Sequence, residues 1–299
     1  MSRTRVLVAG ASGRLGRAIV DVAAAEGLEP RALGRSAAAL SALGSAAELR
    51  ALDLLSAPAT ALDEAMVGMD AVISSVGASI LPDLGRGRAG FFEVDTLANQ
   101  RLIEAAERQG VKRFVYVAVA GHDALGHLTY VRAHERVVER LRSSRLEASV
   151  LRATGFFSAF ESVLDLARKG RVPLLGRPDA RTNPIADRDL ARLCVAALAE
   201  PPRERTVGGP EVLTRRRIAE LAFEALEAPP RFMRLPNWLV YTLGALMWPI
   251  SPRVSQLTRF FLEVSSRDCL GEPSGSSRLG DYFRAQALAQ VAHPAELEY

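Results

Sequence analysis

The sequence lacks the features that mark several common classes of protein. It has two cysteines, Cys194 and Cys269, which lie far apart and have no histidine cluster nearby. This excludes a disulfide framework and a CxxC-type zinc site, and it favours a reducing compartment. The polar N-terminus does not resemble a secretory signal, and no apolar run reaches the roughly 18 to 20 residues of a spanning helix. We therefore expect a cytoplasmic protein that does not span a membrane and holds no metal.

The charge of the chain argues against a nucleic-acid partner. The formal net charge is +4, and no dense basic run is interleaved with aromatic residues. Apolar residues make up 48% and charged residues 24% of the 299 residues, as is usual for a folded globular protein. We expect one large α/β domain, with or without a smaller lobe, and a small-molecule ligand.

Short β-branched runs alternate with helical segments along the first two-thirds of the chain. The predicted strands are Arg5–Ala9, Glu29–Leu33, Glu48–Leu52, Ala71–Val76, Arg113–Val119 and Ala148–Ala153. A helix is predicted over Phe91–Gln109, with Gly110 ending it. This alternation predicts an α/β fold, a Rossmann-type doubly wound parallel sheet with helices on both faces. We expect this nucleotide-binding domain over residues 1–200 and a smaller, mainly helical C-terminal lobe over residues 201–299.

A glycine-rich turn stands between the first strand and the first helix. Its GxxGxxG run and the residues within it are candidates for binding a pyrophosphate: Gly10, Ser12, Gly13, Arg14, Leu15 and Gly16. Glycines permit a tight turn and let backbone N–H groups approach a phosphate at the positive end of the helix. The position at the first βα turn predicts a dinucleotide site, and the alternative is a structural turn without a ligand.

The residues after the second strand indicate which nucleotide is bound. A carboxylate that would bind a ribose 2′-hydroxyl is absent there, and Arg35 stands in its place. Arg35 could bind a 2′-phosphate, with help from Arg14, so the sequence predicts NADP(H), with NAD(H) as the alternative. Both arginines could instead be solvated surface residues. Asp53, after the third strand, is placed to contact adenine, or it is only a residue of its loop.

Four stretches carry a family resemblance. They are VLVAGASGRLGRAIV near the start, VDTLANQRLIEAAERQGVKRFVYVAVAG in the middle, TYVRAHERVVERL, and VLRATGFF followed by NPIADRDLA. With these motifs the chain resembles the atypical short-chain dehydrogenases/reductases of the NmrA-like and divinyl-reductase-like kind, over about residues 3–200. Members bind NAD(P), and many reduce a carbonyl or a conjugated double bond, whereas some only sense the cofactor or scaffold a complex. The resemblance adds further candidate cofactor contacts: Ser75, Gly77, Asn99, Ala118, Thr154, Gly155 and Phe156.

The resemblance also shows where the catalytic residues depart from the usual pattern. Orthodox members use Ser, Tyr and Lys, and here Tyr130 and His134 stand four residues apart on one helix face. His134 takes the lysine position and Ala118 or Ala120 takes the serine position. A neutral imidazole does not stabilise a tyrosinate as an ammonium does, so His134 is itself the proton donor, or binds the ribose, or the chemistry differs. Tyr130 is the first candidate for the acid, although it could also only pack, and His122 is a candidate replacement donor.

The most apolar stretch of the chain is Leu235–Ile250, in the expected C-terminal lobe. Three interpretations are open: a buried helix that closes the substrate pocket, a wall for a lipophilic substrate, or a helix in contact with a membrane surface. The last is favoured by Trp238 and Trp248, with Arg231 and Arg234 nearby.

The sequence thus predicts an oxidoreductase. The leading hypothesis is an NADPH-dependent reductase that transfers a hydride to a hydrophobic carbonyl, enone or quinone-type compound. The alternative is a non-catalytic NADP-binding sensor or assembly factor of the NmrA-like type, which the missing Ser and Lys favour.

Overall fold

The structure, a computed structural model, describes residues 3–43, 47–77 and 91–292. Its strands are β1 Arg5–Ala9, β2 Glu29–Gly34, β3 Glu48–Ala51, β4 Ala71–Ser74, β5 Arg113–Val119, β6 Glu147–Ala153, β7 Val172–Leu174, β8 Arg181–Thr182, β9 Glu204–Gly208, β10 Leu213–Thr214, β11 Phe232–Arg234 and β12 Glu272–Pro273. Its helices are α1 Arg14–Ala25, α2 Ala37–Ser41, α3 Ala59–Met66, α4 Ala98–Arg108, α5 His122–Leu125, α6 Thr129–Arg142, α7 Glu161–Arg168, α8 Asp187–Ala196, α9 Arg215–Ala225, α10 Asn237–Leu246, α11 Pro252–Ser265 and α12 Leu279–Ala292.

The central sheet has eight strands in the order β12-β9-β6-β5-β4-β1-β2-β3. Strand β1 pairs in parallel with both β2 and β4, and the pairs β2–β3 and β4–β5 are parallel as well. The strand order therefore reverses between β1 and β4, and ligands of such sheets bind beyond the carboxyl ends of the strands at this point. The prediction of a Rossmann-type α/β fold is confirmed.

The strands form because their sequences are apolar on both faces. In β1 every residue from Val6 to Ala9 is buried, and β5 is buried from Phe114 to Ala118. Helices α3, α4 and α6 cover one face, where Leu62, Leu102 and Val137 pack into a common core with β1, β4 and β5. Helix α1 packs against α8. Continuous burial of this kind is typical of parallel sheets covered by helices.

The chain divides into two compact units. Of the described residues, those within Met1–Arg152 and Asp187–Arg205 form the first unit, and those within Ala153–Ala186 and Thr206–Tyr299 form the second. The division expected at residue 200 does not coincide with this one, because α7, β7 and β8 join the C-terminal residues while α8 packs on α1. In the second unit, Phe157, Leu164, Phe223 and Phe283 form a core of their own.

Two further elements differ from the sequence prediction. The segment predicted as one helix over Phe91–Gln109 begins with a π-helical turn, Phe92–Leu97, and continues as α4. The region after residue 200 is not helical throughout, since short strands β9 to β12 alternate with its helices. Within the described ranges, no helix is long and apolar enough to cross a membrane.

Candidate functional site

The glycine-rich turn after β1 forms a tight cradle. Gly10 has φ +81°, which allows the N–H groups of Gly10 and Ala11 to donate to the Leu33 carbonyl at 3.0 and 3.1 Å. A Cβ atom at Gly16 would lie 2.1 Å from the Gly10 oxygen, so α1 can begin this close to the turn only with glycine there. The geometry needs glycine at both positions.

The N-terminus of α1 is open. Gly13 is its N-cap, is exposed, and offers no side chain to the first N–H groups of the helix. Arg17 stabilises the turn, because its guanidinium donates to the carbonyls of Ser12 and Ala39, each at 3.2 Å. An uncapped helix start with no acidic residue in its first turn fits a phosphate group. Ser12 and Leu15 are half-buried beside it.

Arg35 follows β2 directly. Its side chain is exposed, and among the described residues it has no hydrogen-bond or ion-pair partner. Arg14, in the glycine-rich turn, is also exposed. Asp53 accepts a hydrogen bond from the Leu55 N–H at 3.0 Å and so stabilises its own turn. The exposed guanidinium of Arg35 is therefore available for a ligand.

The end of β4 is held by a buried asparagine. Asn99 accepts from the Ser74 hydroxyl at 2.6 Å and donates to the carbonyls of Val76 and Asp95 at 3.1 and 2.6 Å. Ser75 donates to the Ala9 carbonyl at 3.1 Å, which ties this segment to β1. At exposed Gly77 a Cβ would lie 2.9 Å from Asp95 Oδ1, so a side chain there would require the Asp95 carboxylate to shift. Asn99 therefore shapes the edge of the sheet where a ligand would bind.

A buried polar chain joins β5, α6 and the π-helical turn. The Tyr116 hydroxyl lies 2.6 Å from Nδ1 of His134, and Nε2 of His134 lies 3.5 Å from Oδ1 of Asp95. Tyr116 and Asp95 are fully buried, and His134 is 5% exposed. The carboxylate near Nε2 favours the tautomer with its proton on that nitrogen. The Tyr116 hydroxyl is then the donor to Nδ1.

Burial determines the protonation states of His134, Tyr116 and Tyr130. Desolvation, aided by the charge of Arg152, lowers the pKa of His134 from 6.5 to about 4, although Asp95 lies near it. Desolvation and the charge of Asp95 raise the pKa values of Tyr116 and Tyr130 above their usual range. At neutral pH the imidazole is uncharged and both phenols keep their protons.

The low pKa of His134 predicts a stability that depends on pH. The folded-state pKa is the lower one, so stability is complete above the unfolded value of 6.5 and is lost as the pH falls towards about 4. Between about pH 7.5 and about pH 5 this group removes about 2 kcal/mol from the free energy of unfolding. Urea unfolding at both pH values, on the wild type and on His134→Gln, measures it. Equal losses in the two proteins would contradict the prediction.

Tyr130 contacts His134 of the buried polar chain through its ring. The ring meets those of His134 and Phe91 edge to face, with centroids 5.0 Å apart in both pairs, and the residue is half-buried. The structure thus places Tyr130 and His134 side by side on α6. Ala118 is buried in β5, whereas His122 is half-buried, 3.3 Å from Asp123 Oδ1, and His127 is exposed.

The remaining candidate residues belong to the second unit. The Thr154 hydroxyl donates to the Asn183 carbonyl at 2.7 Å, and the Gly155 carbonyl accepts from Ile185 N–H at 2.8 Å. Phe156 is half-buried, whereas Phe157 lies in the core of that unit. Their roles at a cofactor stay predictions.

Comparison with known proteins decides the family. The sequence model described as NAD(P)H-binding matches residues 10–201, which include the glycine-rich turn, Arg35 and the polar chain. This chain belongs to the NAD(P)H-binding family. The cradle around Gly10 and Gly16 and the open start of α1 fit the phosphates of such a nucleotide. A solved structure, the NADPH-dependent quinone oxidoreductase of Escherichia coli in complex with NADPH, shares the fold: the TM-score is 0.73 at 15% identity, covering 94% of this chain and 99% of that one.

Two curated relatives of this NAD(P)H-binding chain agree with the divinyl-reductase-like resemblance. The divinyl chlorophyllide a 8-vinyl-reductase of Zea mays is 27% identical over 83% of this chain and 65% of its own length. The photosystem II assembly factor Ycf39 of Guillardia theta is 32% identical over 65% of this chain and 60% of its own length. The chain therefore spans less than two-thirds of each relative. The expected cytoplasmic location stays a prediction.

Sequence reasoning missed Tyr116, Asp95 and Arg17. A signal for Tyr116 was present, because a tyrosine inside a strand that is apolar on both faces needs a partner for its hydroxyl. Asp95 stands four residues before Asn99 in a helix that packs on the sheet, so its carboxylate was a candidate for burial. Arg17 gave no such signal, since arginines in general are mostly exposed.

Proposed function

We propose that this protein is an NADPH-dependent reductase of a hydrophobic carbonyl, enone or quinone-type compound. The observation that supports it is the contact of Tyr130 with the uncharged His134, inside the unit that carries the nucleotide cradle. A proton donor and a dinucleotide site are the two parts that such a reduction needs. When bound, NADPH would supply the hydride.

Residues of the protein itself keep the proton on the Tyr130 hydroxyl and orient the groups around it. The raised pKa of Tyr130 keeps its hydroxyl protonated at neutral pH, so it can donate a hydrogen bond to an oxygen that becomes negative. His134 contacts the Tyr130 ring, and the Tyr116 hydroxyl, 2.6 Å from Nδ1, fixes the orientation of the imidazole. Among the described residues, no permanent cation lowers the pKa of this phenol, which sets the site apart from a Tyr–Lys pair.

Arg35 supports the preference for NADPH over NADH. Its exposed guanidinium has no partner among the described residues, and no carboxylate follows β2 to bind a 2′-hydroxyl. A guanidinium binds a phosphate through two parallel charge-assisted hydrogen bonds, whereas NADH has a neutral hydroxyl in place of that phosphate.

The experiment that tests the nucleotide preference is a titration of NADPH and NADH by nicotinamide fluorescence. We expect tighter NADPH binding in the wild type. Arg35→Ala should weaken NADPH binding by about ten- to a hundredfold and leave NADH binding unchanged. Arg50→Ala is the matched control, since it removes an arginine with a 53% exposed side chain from the next strand. An equal loss for both nucleotides, or a preference for NADH, would contradict the role of Arg35.

A second candidate is an NADP-binding sensor or assembly factor without turnover. The buried, uncharged His134 where orthodox members have lysine favours it, as does Ala118 or Ala120 at the serine position. The relative Ycf39 is named as an assembly factor. Oxidation of NADPH with quinones, enones and ketones separates the two. Tight NADPH binding without oxidation by any of them would favour the sensor.

A further inference from the structure

An exposed apolar surface stands on the second unit. It is formed by α10 and the turn that follows, and we call it the α10 surface: Trp238, Tyr241, Leu243, Leu246, Trp248 and Ile250. Trp238 is 68% exposed, Trp248 54% and Ile250 76%. Between Leu235 and Ile250 the only large apolar side chain that is buried is Val240. The buried helix considered from the sequence is therefore not what the structure contains.

The packing of α10 explains this exposure. One narrow stripe of the helix, Val240 and Gly244, is buried, and α10 packs against α11. Gly244 allows close approach, since a Cβ there would lie 3.1 Å from Thr258 Cγ2. The other sides of the helix stay open. Exposed apolar patches of this kind mark interaction sites.

Along the chain, the charged residues between Glu227 and Glu263 are all arginines. No acidic residue occurs between Glu227 and Glu263, whereas Arg231, Arg234 and Arg259 in this interval are exposed. The nearest carboxylate along the chain after it, Glu263, is bound by the Tyr241 hydroxyl and by Arg267. The charges on this stretch of the chain are therefore positive, and Glu263, which contacts Tyr241, is paired with Arg267. Such a stretch is complementary to an anionic partner.

We propose that the α10 surface binds the interface of an anionic lipid membrane. Tryptophans stand at both ends of the apolar segment, and such rings settle at the level of lipid headgroups. The leucines between them are suited to the acyl boundary, and the flanking arginines to anionic headgroups. An uncharged 10-residue helix with cations on both flanks in sequence fits a helix that lies in the interface. This inference goes beyond the proposed function and does not depend on it.

The chain contains a built-in probe for this proposal. Its two tryptophans, Trp238 and Trp248, both lie on the α10 surface, so the whole tryptophan fluorescence reports on it. We expect a blue shift of the emission when vesicles of phosphatidylcholine with about 30 mol% phosphatidylglycerol are added to the full chain. Vesicles of phosphatidylcholine alone should bind about tenfold less protein in co-sedimentation, and salt should reduce the difference.

Variants at exposed positions separate the two contributions without disturbing the core. Leu243→Ser with Leu246→Ser should lower the partition coefficient about tenfold on anionic vesicles while keeping both fluorophores. Arg231→Gln with Arg234→Gln should abolish the preference for anionic vesicles. Leu288→Ser is the matched control, because this leucine of α12 is 72% exposed and lies outside the α10 surface.

Three results would overturn the proposal. The first is an unchanged emission with both kinds of vesicle. The second is a blue shift that grows with protein concentration without vesicles and is lost with the leucine pair, which would assign the α10 surface to a second copy of this chain. The third is equal binding to neutral and anionic vesicles, which would remove the role of the arginines. NADPH titration of the same variants should be unchanged, which keeps this test separate from the nucleotide site.

Discussion

Gly16→Ala is expected to abolish nucleotide binding and to destabilise the fold. The added Cβ would lie 2.1 Å from the Gly10 oxygen and 2.8 Å from the Ala11 Cα, and both are backbone atoms that no rotamer change can move. Helix α1 must shift away from the turn, at a cost of about 3 kcal/mol. The N–H groups at its start then leave the position that a pyrophosphate needs, and NADPH affinity falls at least about a hundredfold.

Thermal unfolding and an NADPH titration measure the two effects of Gly16→Ala. Gly13→Ala is a graded comparison in the same turn, because its Cβ would lie 3.3 Å from the Gly10 oxygen, so a small relaxation suffices. It should lose less than about 1 kcal/mol of unfolding free energy. If Gly16→Ala keeps wild-type stability and affinity, the close approach of α1 to the turn is not required for binding.

Tyr130→Phe is expected to lower kcat by about a hundredfold to ten-thousandfold on a compound that the wild type reduces. The substitution removes the hydroxyl and keeps the ring, so the edge-to-face contacts with Phe91 and His134 remain. The fold and NADPH affinity should therefore be unchanged. A loss confined to kcat is what an interaction made in the transition state predicts.

Tyr241→Phe is the matched control for this result. It removes a phenol hydroxyl from an exposed tyrosine on α10, whose partner is Glu263, and should leave kcat unchanged. Because the pKa of Tyr130 is raised and that of His134 is lowered, neither group titrates between about pH 6 and about pH 9. The kcat of the wild type should be flat over that interval. An unchanged kcat in Tyr130→Phe would show that the proton comes from another group.

The sequence predicts the elements of the sheet well because their signals are local. Strands β1 and β5 have the predicted bounds, since each is a continuous apolar run next to turn residues. The glycine-rich turn was identified by the same means, because its strand, its glycines and its helix are contiguous. The place of Tyr130 beside His134 follows from helical periodicity alone.

Contacts between distant residues could not be predicted in this way. Tyr116 and His134 are 18 residues apart, and their bond depends on which face of β5 meets α6. Asn183 donates to the carbonyls of Gly209 and Gly271, which are 26 and 88 residues away, and so helps to bring Ala153–Ala186 into the second unit. No periodicity in the sequence encodes such pairings.

The position of the Asp95 carboxylate beside His134 depends on the number of residues in the π-helical turn Phe92–Leu97. Such a turn contains one residue more than an α-helix would use. Deletion of Leu97 would restore the α-helical register and swing Asp95 by about 100° around the axis. Family members one residue shorter here are therefore expected to lack this carboxylate near the α6 residue, even where an aspartate is conserved in an alignment. Gaps at this point of an alignment should sort the family into members with and without the Asp95–His134 pair.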